Sequence, residues 1–199
     1  VRDSVAIPCG HYKSAKPSVR FRGWFFNDEV LMLKWKYNEN GWAGWEIAFE
    51  TLLRCGGNLV IPGTDKMSRR NRALAAEMGL WITHHHAEPL GAEMFVRAYP
   101  DTNPNYMEHP ELVEKLWEEA VLEQKDYKVL WNLCFRGEED APFWSSDTTG
   151  TFDTPEKQGR LIGKLIEKQC EIVEKHIEDP VFCTNLYGEI MGLYEQGYL

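Results

Sequence analysis

A chain of 199 residues, 43% hydrophobic and 27% charged, is long enough for one ordinary domain with a buried core. Its formal charge of −9, from 31 Asp and Glu against 22 scattered Lys and Arg, argues against a nucleic-acid partner, because carboxylates repel a phosphate backbone. No apolar run approaches the roughly 18–20 residues that cross a bilayer, and the opening VRDSVAIPCG lacks the basic start and apolar stretch of a secretory signal.

Short apolar runs alternate with longer amphipathic ones, the signature of repeated βα units. Residues 18–26 read as a first strand ending at Asn27-Asp28-Glu29. A helix is predicted over 43–54, with Ile47, Ala48, Leu52 and Leu53 on one face, and Gly56-Gly57 stops it. Residues 58–62 form a second strand, and 68–78 a helix that Gly79 ends. Residues 80–83 are a third strand running into His84-His85-His86. A loop over 100–110 precedes a helix opened by Pro110, with Leu112, Val113, Leu116, Trp117 and Ala120 at helical spacing. Residues 128–135 are a fourth strand, and Thr154-Pro155 caps a long amphipathic helix. A fifth strand over 181–186 leads to Tyr187-Gly188-Glu189 and a last helix.

Five βα units are most of a (β/α)8 TIM-type barrel, which needs eight. A doubly wound sheet would normally carry a Gly-rich nucleotide turn after its first strand, and no GxGxxG or GxxxxGK occurs. The α/β reading is therefore an incomplete barrel. The five cysteines, Cys9, Cys55, Cys134, Cys170 and Cys183, show no CxxC spacing, and are expected as free, mostly buried thiols with no zinc site.

The C-terminal ends of barrel strands form the active-site rim. Four of the five predicted strands end there in polar groups: Asn27-Asp28-Glu29, His84 through Glu88, Arg136 through Asp140, and Tyr187 with Glu189. Carboxylates from separate strand ends meeting in one cavity suit glycosidic cleavage, where one acid protonates the leaving oxygen and one carboxylate activates water or attacks carbon. Singly, Asp28 reads equally well as a turn cap, and Glu138-Glu139-Asp140 as a solvated loop. Eight Trp fit a sugar site held by aromatic faces, although the core is the commoner fate of any one. His84 and His86 share a face if the strand continues, which allows a metal-dependent barrel hydrolase as an alternative. A non-catalytic carbohydrate-binding barrel is a second alternative.

The segments Arg22 through Glu29, His85 through Leu90, Trp131-Asn132 running into Phe135 through Asp140, and Leu186 through Glu189 together resemble glycoside hydrolase family 115, the xylan α-1,2-glucuronidases. They occur in the family's order and nearly cover the chain. The resemblance implies removal of glucuronic or 4-O-methylglucuronic acid from xylan with inversion, using no cofactor and no metal. It makes residues 1–199 part of a single barrel domain in a larger, secreted or periplasmic protein, with room for a homodimer of the parent. The barrel's next strand end is expected beyond Leu199, and the chain alone is expected to be inactive. The implied catalytic carboxylates are Asp140, Glu189 and Asp28. Arg136, Tyr187, His85, His86, Glu88, Asn27 and Asn132 are implied to bind the sugar, with Arg136 forming a two-pronged pair to the uronic carboxylate. Glu139 departs from the pattern, standing where the family has Gly.

Overall fold

The computed structural model describes residues 4, 6, 9–11, 13, 15–32, 35, 43–137 and 140–199, with backbone alone at 28, 29 and 65–67. Among these residues five short parallel strands carry the β structure: β1 Gly23–Phe25, β2 Leu59–Ile61, β3 Trp81–Ile82, β4 Leu130–Leu133 and β5 Val181–Thr184. β1, β2 and β3 form one sheet and β4 and β5 a second, all in sequence order. A single parallel bridge, Ile82 with Val129, joins the two.

Each strand leads into helix, as parallel pairing demands. β1 leads through a π-helical turn, Asp28–Met32, to α1, Ala43–Arg54, and β2 leads to α2, Asp65–Glu77. Between β3 and β4 lie a 3-10 turn, Pro89–Gly91, then α3, Phe95–Ala98, and α4, Pro110–Gln124. β4 leads through another 3-10 turn, Phe143–Ser146, to α5, Pro155–Glu174, and β5 to α6, Glu189–Glu195. The five predicted βα units are therefore present. They form an open array of mixed α/β structure, and the described residues do not close a barrel. Among them no helix is long and apolar enough to cross a membrane.

The core divides as the sheets do. Phe49 of α1, Ala75 of α2 and Val60 and Ile82 of β2 and β3 form one cluster. Trp117 and Val121 of α4, Trp131 of β4 and Ile162, Leu165 and Val173 of α5 form the larger one. Trp45, Trp117 and Trp131 are all core residues, whereas Trp24 is exposed. Of the cysteines only Cys134 is buried. Cys170 and Cys183 are half-buried, and Cys9 and Cys55 are exposed, so the expectation of mostly buried thiols is corrected.

The strands are shorter than the apolar runs that predict them, because side chains take over the pairing at their ends. Before β1 and β2, the Asn58 side chain accepts from the Arg22 backbone N–H at 2.8 Å, and the Asn58 N–H donates to the Arg22 carbonyl at 2.8 Å. After β4, the Gln169 side-chain amide takes both backbone groups of Cys134. An apolar run records burial, which continues where the main-chain ladder stops.

Candidate active site

Arg136, three residues beyond the end of β4, centres a polar cluster at the strand C-termini. Its Nε and Nη2 donate to the two carboxylate oxygens of Glu189, the first residue of α6, each at 2.8 Å. Its Nη1 donates to Asp140 Oδ1 at 3.1 Å, and Nη2 also reaches the Asp140 carbonyl at 2.9 Å. Four of the five guanidinium N–H groups are thus committed. The Arg136 side chain is 2% exposed and Glu189 15%, while Asp140 is 72% exposed and open to water. The two carboxylates, Glu189 foremost, push the Arg136 pKa further up. The fork expected to meet a uronic carboxylate is, in this structure, closed on Glu189.

Two glycines shape this corner. Gly188 adopts φ +58°, a left-handed conformation that turns the chain from β5 into α6 directly over the Arg136 guanidinium. Gly137 N–H donates to the Ala141 carbonyl at 3.0 Å, and a Cβ at Gly137 would lie 2.7 Å from the carbonyl oxygens of Ala141 and Pro142. Gly137→Ala is therefore expected to destabilise the protein by about 1–3 kcal/mol, the usual cost of overpacking. Thermal unfolding checks this, and an unchanged melting temperature would show that the loop yields freely.

His86 Nε2 lies 2.9 Å from Asp140 Oδ1, and its ring stacks on Tyr187 at 4.0 Å and 17°. Arg136 lies 5.0 Å from the centroid of the same Tyr187 ring. Burial lowers the His86 pKa in spite of Asp140, so the neutral imidazole carries its proton on Nε2 and donates it. That hydrogen bond, and after it the one from Arg136, holds Asp140 below the usual carboxylate range. His85 lies between His86 and Phe25, its ring tilted about 40° to each, with centroids 3.7 Å and 5.3 Å away. Burial, then the neighbouring His86, lowers it to about 4.

The other described site residues have further partners. His84 is buried and meets Gln124 Oε1 through Nε2 at 2.8 Å, so His84 and His86 bond to different partners. No group of three or more His, Cys, Asp or Glu among the described residues is placed to hold a metal ion. Glu88 is buried beside Arg72 at a cavity of about 190 Å³, lined also by Ser68, Arg69, Gly91 and Glu93. Asn27 Oδ1 accepts from Val30 N–H at 2.7 Å, which caps the helical turn after β1. Asn132 is buried, and its amide donates to the His84 and His85 carbonyls. The Asp28 side chain and Glu139 lie outside the described residues.

Sequence reasoning missed Gln124 and Gln169, both fully buried: Gln169 is spent on the backbone of Cys134, and Gln124 on two carbonyls and the His84 ring. Gln124 Nε2 donates to the carbonyls of Leu90 and Ala120, and so holds Leu90 at φ +57°, rare for a residue with a side chain. The available signal was a polar residue on an apolar helix face: Gln169 follows Ile162 and Leu165 and precedes Ile172, all buried.

Parallel strands whose C-terminal ends gather paired carboxylates around one arginine belong to the broad class of α/β proteins that keep their chemistry at that edge. Within that class the chain belongs to glycosyl hydrolase family 115, whose profile matches residues 14–199. Among solved structures it is similar to BtGH115A, a family GH115 4-O-methyl-alpha-glucuronidase with specificity for decorated arabinogalactans. The two share 24% identity and superpose with a TM-score of 0.72 over 92% of this chain and 26% of that one. At that identity the likeness bears on the fold alone, and the chain spans about a quarter of the neighbour's length. No curated protein matches the sequence.

Proposed function

We propose that this chain contributes the catalytic centre of a glycoside hydrolase that removes glucuronic acid or its 4-O-methyl ether from a polysaccharide. The five βα units are then part of a (β/α)8 barrel, and Asp140 and Glu189 are its two working carboxylates. The observation that carries the reading is the closure of both carboxylates on one buried guanidinium at the strand ends. Family membership and the activity named for the similar structure support it.

The surroundings of the two carboxylates support a division of labour. Asp140, exposed and held ionised by His86 and Arg136, fits the base that activates water. Glu189 is enclosed by Arg136 and takes the proton-donating role when the substrate's own carboxylate displaces it from the guanidinium fork. The Arg136 fork is then spent on the uronic acid, as bidentate carboxylate recognition favours. Glu189, once released, takes up a proton from solvent and gives it to the leaving oxygen, while Asp140 takes one from the attacking water. A neutral sugar lacks the group that opens the pair, which makes the acid both substrate mark and trigger. Water attacking from the face opposite the leaving group gives inversion. Tyr187, with His85 and His86, offers the aromatic surface against which a pyranose lies.

The test uses the full-length protein as wild type, Asp140→Ala and Glu189→Ala, on glucuronoxylan and on a glucuronic-acid-decorated arabinogalactan. Wild type is expected to release the acid from at least one substrate. Both variants, folded by circular dichroism, are expected to lose roughly a thousandfold in rate. An Asp140→Ala protein that hydrolyses as before while losing affinity for the polysaccharide would overturn the catalytic reading in favour of a binding role.

A further inference from the structure

The parallel ladder between β3 and β4 does not continue beyond the Ile82–Val129 bridge. From there the chain of β3 bears the three histidines, and its carbonyls are met by side chains of β4 and the residues after it. Asn132 Nδ2 donates to the carbonyls of His84 at 3.3 Å and His85 at 3.2 Å, and Cys134 Sγ donates to the His86 carbonyl at 3.1 Å. Asn132 and Cys134 are two residues apart, hence on one face of an extended chain, so the histidine segment crosses that face. The lateral slot this leaves beside Cys134 is filled from α5. Gln169 Oε1 accepts the Cys134 N–H at 3.0 Å, and Gln169 Nε2 donates to its carbonyl at 2.7 Å. One amide group thus stands in for the missing strand.

We propose that Asn132, Cys134 and Gln169 are positioning residues, which replace the absent main-chain ladder and set His86 against Asp140 on one side and Arg136 on the other. All three are buried with their donors committed to backbone. Burial pushes the Cys134 thiol up to about 12, so it remains an S–H donor throughout any working pH range. His86 is thereby anchored through its own carbonyl, while its ring meets Asp140. Arg136 is anchored two residues after the backbone groups that Gln169 holds. The assignment of these positions to catalysis rests on the proposed function, whereas the anchoring itself does not.

The experiment compares Asn132→Asp, Cys134→Ala and Cys134→Ser in the full-length protein, by crystal structure at neutral pH and by the pH profile of glucuronic acid release. Asn132→Asp turns a donor into an acceptor facing two carbonyls, and is expected to carry His86 out of hydrogen-bond reach of Asp140 while Arg136 still holds Glu189. A displacement of that kind is expected to lower kcat roughly a hundredfold with KM within about twofold. The acidic limb then moves to higher pH, because Asp140 has lost the His86 N–H. Cys134→Ala is expected to give a smaller loss, about fivefold, the worth of one neutral hydrogen bond, with the limb displaced in the same direction. Cys134→Ser, which restores a donor, is expected to return both to wild type. Should Asn132→Asp fail to fold, the two Cys134 variants decide alone. A folded Asn132→Asp or Cys134→Ala protein with the His86–Asp140 contact unmoved overturns the proposal, as does a Ser variant indistinguishable from Ala. Wild type that releases no acid sinks the proposed function instead, and the crystallographic comparison still decides the anchoring.

Discussion

Replacing Arg136 by methionine is expected to cost about 3 kcal/mol of stability and to abolish activity in the same step. Methionine fills much of the volume of the arginine stem and adds no polar group, so the variant isolates the loss of charge and donors. What remains is Glu189, 15% exposed, without the guanidinium that meets both its oxygens, and Asp140, which keeps His86. Breaking an enclosed pair by removing one partner typically costs about 3–5 kcal/mol, because the other charge stays enclosed and uncompensated. The lower end applies here, since Asp140 is 72% exposed and water replaces much of what it loses. Arg136→Lys keeps the charge but cannot serve two carboxylates with a planar fork. It is expected to recover part of the stability and little of the activity. Thermal unfolding and glucuronic acid release, measured on the same preparations, check both. A methionine variant as stable as wild type would mean that the guanidinium serves only substrate, and that its closure on Glu189 contributes nothing to the fold.

Much of this architecture was legible in the sequence, and the illegible part has a physical cause. Helices announce both their ends and their buried faces: Pro110 and Pro155 open α4 and α5 as predicted, and the bounds of α1 agree with the prediction. Strand ends were overestimated because hydrophobicity reports burial, and Cys134 and Phe135 are buried beyond the last ladder residue, Leu133. The gathering of polar groups at one edge was readable from their place after successive apolar runs. Which of them face one another was not. Arg136 and Glu189 are 53 residues apart in sequence, and nothing local says that the fork closes on that carboxylate. Nor does strand periodicity say that the Asn132 amide turns to backbone carbonyls, or that Glu88 sits with Arg72. The first of these belongs to the stretch where β3 parts from β4 and the side chains of Asn132, Cys134 and Gln169 meet the main chain instead.

The pH dependence of stability is the second large effect, and it originates in His84. The Gln124 amide nitrogen is spent on Leu90 and Ala120, so Gln124 Oε1 is left to accept, and His84 must donate from Nε2. Its Nδ1 is then an unprotonated acceptor, buried and with no hydrogen-bond partner among the described residues. Protonating it would place a cation in a buried site beside Arg72. Burial foremost, with Arg72 second, lowers the His84 pKa from 6.5 to about 3. Between those two values the unfolded chain binds the proton and the folded protein does not. Stability is therefore full above about pH 6.5 and falls as pH drops, by about 1.4 kcal/mol per unit, until it levels near pH 3. His85, lowered to about 4, adds to the fall over the upper part of that window. Asp140, whose pKa is depressed, loses its contribution in the same direction, but only below the usual carboxylate range. His84→Gln keeps a side-chain donor for Gln124 and removes the titration. Melting temperatures of wild type and this variant between about pH 4 and 7 are expected to converge as the solution is acidified, with wild type ahead at neutral pH and losing its lead toward pH 4. Parallel curves would mean that His84 takes up its proton in the folded state, and hence that the Gln124–His84–Arg72 site is wet.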